Sequence, residues 1–327
     1  MQDAQPAGGD VLRIDGLTIE LSRGRADVCS IVDDVSLRIG AREIVGLIGE
    51  SGSGKTVTAK SLIGLLPDRI RVAAGTAMFR GKDLFALGAK AMRDVRGSEI
   101  SLIPQDALHA LNPVHRIGRQ VGEPVRIHTG QSESAIRALV LRLLAKVRID
   151  NPDLRIGQFP HQFSGGMQQR ALTAMALSME PPLIIADEPT TALDVTIQAQ
   201  IIALLKDLHQ ETDASFLFIS HDLGLVSSLC ERIYVMYAGV IVESAEAQDI
   251  FSKPRHPYTC ALIGSVPRLR SNPDALQTIA GQVPSPFEHD GGCRFRNRCP
   301  LAEERCTAPP PMRDHGHGHF SRCWVET

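Results

Sequence analysis

The stretch "GESGSGKT", residues 49–56, narrows what this chain can fold into more than any other feature. It fits the pattern G-x-x-x-x-G-K-[ST], and its flanks are right for that pattern: the apolar run "EIVGLIG" before it, and helical periodicity after Lys55. Glycine backbones at such a loop turn their N–H groups inward around an anion. Gly49, Ser51, Gly52, Ser53 and Gly54 form a cradle for the β- and γ-phosphates of a nucleotide, Lys55 pairs with phosphate oxygens and Thr56 offers its hydroxyl to Mg²⁺. A second half of such a site stands downstream in "LIIADEP", residues 183–189. Asp187 ends an apolar run and is placed to hold Mg²⁺, directly or through water, and Glu188 is placed to polarise an attacking water. The pair of stretches makes a hydrolytic nucleotide site.

Around that site the pattern alternates strands and helices. "VLRIDGLTIEL" and "IVDDVSLRIG" alternate apolar and polar residues as half-buried strands do, while "LIIADEP" and "SFLFIS" read as buried strands. Helices are expected after Lys55, with Ala59, Leu62, Ile63 and Leu66 on one face until Pro67. Two more are expected over 132–148 and after Asp194, which can cap a helix carrying Ile197, Ile201, Leu204, Leu205 and Leu208. The fold class is therefore α/β with a mainly parallel sheet. Residues 1–10 read as a disordered leader, and a boundary is placed at Pro254, beyond which Pro, Arg, Cys and His dominate. A net charge of −2 gives no electrostatic reason to expect nucleic acid as a partner. No apolar run is long enough to cross a bilayer and the N-terminus lacks the pattern of a signal peptide, so a cytoplasmic chain is expected.

Further motifs stand in a fixed order: "LIPQD" around Gln105, "FSGGMQQR" at 163–170, "TTALD" ending at Asp194 and "ISHD" containing His221. With the phosphate loop and "LIIADEP", they make the chain resemble the ATP-binding subunits of ABC transporters over roughly residues 10–255. The resemblance implies a P-loop NTPase (RecA-like) core with an N-terminal antiparallel β part and an inserted α-helical subdomain at about 106–180, the nucleotide-binding domain as a whole spanning 11–254. It implies that Gln105 senses Mg²⁺ and the membrane partner, and that His221 contacts the γ-phosphate. Ser164, Gly165 and Gly166 would grip the nucleotide of a second subunit, and Asp194 would lie at the seam between the two. One departure stands out: no Phe, Tyr or Trp occurs between Val11 and Met78 to stack on adenine, where Arg23 or Arg25 could stack instead.

"RHPYTCALIGSVP" (255–267), "GQVPSP" (281–286) and "CRFRNRCPLAEERC" (293–306), with "IPQDALHALNP" and "DEPTTALDVTIQAQI", resemble the ATPases of oligopeptide, dipeptide and nickel importers. That resemblance implies uptake of short peptides or a related small solute, at the cytoplasmic face of the inner membrane. The implied partners are a second, homologous ATPase subunit in a heterodimer, two permeases and an extracytoplasmic solute-binding protein. The ATPase of another importer class (nickel, opine, glutathione or sugar) is the alternative, and a non-transport ABC ATPase a more distant one.

Four of the seven cysteines, Cys293, Cys299, Cys306 and Cys323, fall in the last 35 residues. The count suits a [4Fe–4S] cluster, which the resembled family is understood to carry in some members, with Arg294, Arg296 and Arg298 offsetting thiolate charge. Zn²⁺ is the alternative although the spacing lacks two close pairs, and unligated thiols are a third reading. A metal would staple a tail too poor in apolar residues to build its own core. Cys29, Cys230 and Cys260 read as packing residues, and "HGHGH" (315–319) as a solvated loop.

Overall fold

The computed structural model describes residues 9–24, 28–191, 193–265, 279–289 and 291–325. Most of the leader, residues 1–8, and Arg25 lie outside the described residues. The chain divides into two compact units, one built from Met1–Val11, Gly40–Arg42 and Leu87–Leu217, the other from Leu12–Ile39, Glu43–Ala86 and Phe218–Thr327.

The second unit holds the first strands. Strands β1 (Leu12–Ser22) and β2 (Val28–Ile39) form where the alternation places half-buried strands, and they pair antiparallel, as the resemblance implies for the N-terminal part. The alternation slips once: Leu12 and Ile14 are buried, then Leu17 and Ile19, with a register shift between Ile14 and Leu17. Gly16, at φ 59°, supplies the left-handed residue that such a bulge requires. The buried strand β3 (Ile44–Ile48) runs into the phosphate loop and then helix α1 (Lys55–Leu62). This helix is shorter than its apolar spacing predicts, because the chain takes φ 60° at Gly64 and Leu66 falls outside the helix. Strands β4 (Ile70–Phe79) and β5 (Lys82–Asp83) complete a four-stranded antiparallel sheet in the order β2-β1-β4-β5.

The first unit follows with α2 (Ala89–Val95), β6 (Ile100–Ile103), α3 (Ala107–Ala110), α4 (Ile117–Val121), α5 (Glu123–His128), α6 (Glu133–Lys146), α7 (Pro152–Arg155) and α8 (Gly165–Leu177). Ser132 caps α6, whose buried stripe of Ile136, Val140, Leu143 and Leu144 is the one its periodicity marks out. Strand β7 (Leu183–Asp187) is buried throughout and pairs parallel with β6. Helix α9 (Val195–Glu211) buries Ile201, Leu204, Leu205 and Leu208, and strand β8 (Ser215–Ser220) leads out of this unit.

The rest of the second unit contains α10 (Leu223–Leu229), β9 (Arg232–Tyr237), β10 (Val240–Glu246), α11 (Ala247–Ser252) and α12 (Pro257–Gly264). The short strands β11 (Met312–Asp314) and β12 (Phe320–Arg322) form a hairpin on β10, in the order β11-β12-β10-β9-β3. β3 and β9 are parallel, whereas β9-β10 and β10-β12 are antiparallel, so the parallel core continues into an antiparallel edge. No described helix is long and apolar enough to cross a membrane.

The tail after Pro254 departs from expectation in how it is held. Phe295 is fully buried, edge-on to Tyr237 and tilted against Tyr258 and His256, so the tail shares an aromatic core with β9 and α12. Nor is "HGHGH" wholly a solvated loop. His319 is buried, with Nε2 2.7 Å from Oε1 of Glu243 on β10, a fully buried carboxylate that also accepts the backbone N–H groups of Arg255 and His256. These donors compensate a charge that burial alone would make costly.

Candidate functional site

In the second unit, the 49–56 loop joins the C-terminal end of β3 to the N-terminus of α1. Gly49, Gly52 and Gly54 have φ of 152°, 80° and 104°. Gly54 needs its left-handed conformation to cap α1, and a Cβ on Gly49 would be driven into the carbonyl oxygen of Met236. The β9–β10 turn braces the loop from behind, Gly239 N–H donating to Ser53 O at 2.9 Å. Ser53 and Lys55 are buried, while Ser51 and Gly52 are exposed at the lip and Thr56 is half-buried. The Lys55 ammonium, only 4% exposed, donates to Gly49 O and Glu50 O at 2.8 Å each and to Ser53 Oγ at 3.2 Å. The amine is thus curled into the mouth of a loop built to surround an anion. His221 follows β8 directly and is exposed, and Asp222 caps α10 by accepting from Gly224 and Leu225 N–H.

The first unit holds the other residues. The parallel strands β6 and β7 end side by side, which sets Gln105 against Glu188: Gln105 Nε2 donates to Glu188 Oε2 at 3.0 Å, and Thr191 Oγ1 donates to the same oxygen at 2.8 Å. Asp187 is 2% exposed at the strand end, and Glu188 takes φ 46°, unusual for a non-glycine residue and the kind of strain that collects at functional turns. Ser164 caps α8 by accepting Met167 N–H at 3.3 Å, and Asp194 caps α9 by accepting Ile197 N–H at 2.9 Å. A Cβ on Gly166 would come within 2.7 Å of Ile197 Cγ2, so the "SGG" turn and the Asp194 turn are packed together as two adjoining helix N-termini. An anion near either would meet unpaired N–H groups and the positive end of a helix.

Several expectations about charge need correction. Arg294 and Arg298 are each engaged by a carboxylate. Arg294 pairs with Asp33 and donates to Ala238 O, and Arg298 forks onto Glu50 and reaches the Tyr237 hydroxyl. A guanidinium satisfied by a carboxylate has little left to offer a neutral thiol. Burial instead pushes the Cys293 thiol up to about 11, with Cys306, Cys323 and Cys299 adding to the rise. Burial also raises Cys299 and Cys323, each with further contributions from other tail thiols. The four sulfurs stand within electrostatic reach of one another, although among the described residues no group of three or more ligating side chains converges tightly enough to hold a single ion. Cys260, read as a packing residue, also feels Cys323. Cys230 is buried, and burial drives its thiol strongly upward. Arg23, a candidate for stacking on a base, lies 3.9 Å from the ring centroid of Phe287. Sequence reasoning missed Glu50, Tyr258 and Arg298 as parts of the loop's support; the carboxylate inside a phosphate loop was the visible signal.

Residues 32–191 match the family described as ABC transporter, and residues 242–306 match the one described as oligopeptide/dipeptide transporter, C-terminal region. A protein of Brucella abortus (strain 2308) described as a peptide import ATP-binding protein is 44% identical over 313 residues, covering 96% of this chain and 94% of its own. A peptide ABC transporter ATP-binding protein of Sinorhizobium fredii is 45% identical over 304 residues, covering 92% and 91%. Among solved structures, a dimeric ATP-binding cassette in a post-hydrolysis state with ADP and Pi superimposes with a TM-score of 0.65 at 25% identity, over 72% of this chain and 98% of that one.

Proposed function

The chain belongs to the ATP-binding proteins of ABC transporters, and from that premise we propose that it powers the uptake of short peptides, or of a related small solute, from the cytoplasmic face of the membrane. One observation carries the substrate class: residues 242–306, which lie beyond the phosphate loop in sequence, match the oligopeptide/dipeptide C-terminal region.

ATP enters with its phosphates in the 49–56 loop, where N–H groups and Lys55 bind them; Lys55 exchanges the carbonyls of Gly49 and Glu50 for phosphate oxygens. Thr56 and Asp187 would hold Mg²⁺, which would offset phosphate charge. Glu188 orients and polarises the attacking water, and Gln105, already hydrogen-bonded to Glu188, ties that carboxylate to its own loop. His221 stabilises the γ-phosphate as charge develops on it. Ser164, Gly165 and Gly166, at the N-terminus of α8, bind the nucleotide held by a second, homologous ATPase subunit, and Asp194 lies at the seam. Two permeases and an extracytoplasmic solute-binding protein complete the assembly, to which this subunit is peripheral.

Cys293, Cys299, Cys306 and Cys323 would hold a [4Fe–4S] cluster in this reading. Support comes from four mutually interacting sulfurs in one region; a tetrahedral Zn²⁺ would draw them to within ~3.8 Å of one another, given its bond length of about 2.3 Å.

The assignment is tested by purifying the chain from native membranes and identifying what accompanies it. Two permeases and a second ATPase are expected; ribosomal proteins, or a permease of an exporter, would sink the peptide-uptake reading.

A further inference from the structure

We propose that Arg298 is a positioning residue of the phosphate loop: it neutralises Glu50, the only carboxylate in the 49–56 loop, and thereby lets the C-terminal extension set how tightly the loop takes a nucleotide. The inference rests on reading that loop as an ATP site.

Glu50 stands second in a loop meant for a polyanion. Uncompensated, its carboxylate would repel the phosphates and weaken the field of the surrounding N–H groups. Arg298 lies 248 residues further along the chain, in the short 3-10 turn Arg296–Arg298 that immediately precedes Cys299. Its guanidinium is bidentate on the carboxylate, Nη1 to Oε2 at 2.6 Å and Nη2 to Oε1 at 3.0 Å. The remaining donors are also used: Nη1 to the Tyr237 hydroxyl at 3.2 Å, Nε to Ala280 O at 2.8 Å and Nη2 to Ile279 O at 3.2 Å. A planar fork with its donors fixed this way cannot drift off its carboxylate as a lysine would. The pair is also sheltered, with the Arg298 side chain 6% exposed and that of Glu50 26% exposed.

The backbone of Glu50 is held too. Its N–H donates to the Tyr258 hydroxyl at 2.8 Å, and its carbonyl accepts from Lys55 at 2.8 Å. Glu50 is therefore fixed at the side chain by the tail, at the N–H by α12, and at the carbonyl by the lysine that binds phosphate. Displacing Arg298 changes both the charge beside the phosphates and the resting place of Lys55.

The test is a charge-rescue cycle on the full chain, reading the dissociation constant of MgATP by displacement of a fluorescent analogue. Arg298→Ala is expected to bind roughly tenfold more weakly, the scale on which one nearby charge shifts an ionic equilibrium. In the double variant Arg298→Ala with Glu50→Gln, affinity is expected to return to within about threefold of the wild type, since the repelling charge is gone. Unchanged affinity in Arg298→Ala overturns the proposal, and so does a double variant as weak as the single one, which makes Arg298 mere scaffolding. If Arg298→Ala fails to fold by near-ultraviolet circular dichroism, Glu50→Gln alone decides. With Arg298 left as net positive charge it should bind MgATP more tightly, and equal or weaker binding overturns the proposal. A wild-type chain that binds no MgATP counts against the ATPase reading itself.

Discussion

Glu188 shares one oxygen between Gln105 and Thr191 while its backbone sits at φ 46°. Glutamine at this position keeps the shape and can still accept both hydrogen bonds, but it cannot polarise water as a carboxylate does. Glu188→Gln is therefore expected to lower steady-state ATP hydrolysis at least ~100-fold while retaining MgATP binding, checked by phosphate release and by nucleotide binding on the same preparation. A variant with undiminished turnover would remove Glu188 from its role. At this scale the sequence was informative where chemistry dictates spacing: Lys55, Asp187, Glu188, Ser164 and Asp194 could each be assigned to a loop or cap from neighbouring residues alone. Arg298 could not. Its partner lies far away in the chain, and the cysteine beside it suggested thiolates as the charge it serves. Local pattern carries no information about which of three alternating arginines reaches which carboxylate.

Elements were legible wherever one face had to be buried. The stripes of α6 and α9 follow from period, and the continuous burial of β3 and β7 from short unbroken apolar runs. Their ends were less so, as α1 shows: Leu66 continues the apolar period, but Gly64 has already turned the chain. The tail was hardest, because its 3-10 turns and three-residue strands have no period to read. Its metal content is the measurement proper to this scale. Protein purified without oxygen is expected to carry about four irons and four sulfides per chain, with broad absorption near ~400 nm. Cys323→Ser is expected to lower that content sharply. One zinc per chain would replace the cluster, and no metal would refute both. Because burial raises these thiols, loading must release protons, so metal uptake by the apo chain should weaken as pH falls.

For the whole molecule, the α/β class and the order of functional segments could be read from the sequence, but the shared aromatic core of tail and body could not. That core sets a pH limit on stability. His256 is buried against Phe295, its Nδ1 accepts the Tyr258 N–H, and burial lowers its pKa from 6.5 to about 3. The unfolded chain binds the proton first. The stability contributed by keeping His256 neutral is therefore present above pH 6.5 and is lost as pH falls from there toward 3. At pH 4.5 the loss is about 2 to 3 kcal/mol. In His256→Asn, whose side-chain oxygen can still accept the Tyr258 N–H, melting temperature should fall less steeply across that window than in the wild type. Parallel pH profiles for the two would show that another group sets the slope.

The seating of His319 on Glu243 bears on how such a chain can change over generations. A mid-strand glutamate with no side-chain exposure, contacted by a histidine 76 residues further on, makes the tail a condition for the sheet. Loss of His319 would leave that buried carboxylate with only the backbone N–H groups of Arg255 and His256 to compensate it. Replacement of His319 is therefore easier where the buried acid has already gone, which couples the histidine and the glutamate as positions that change together.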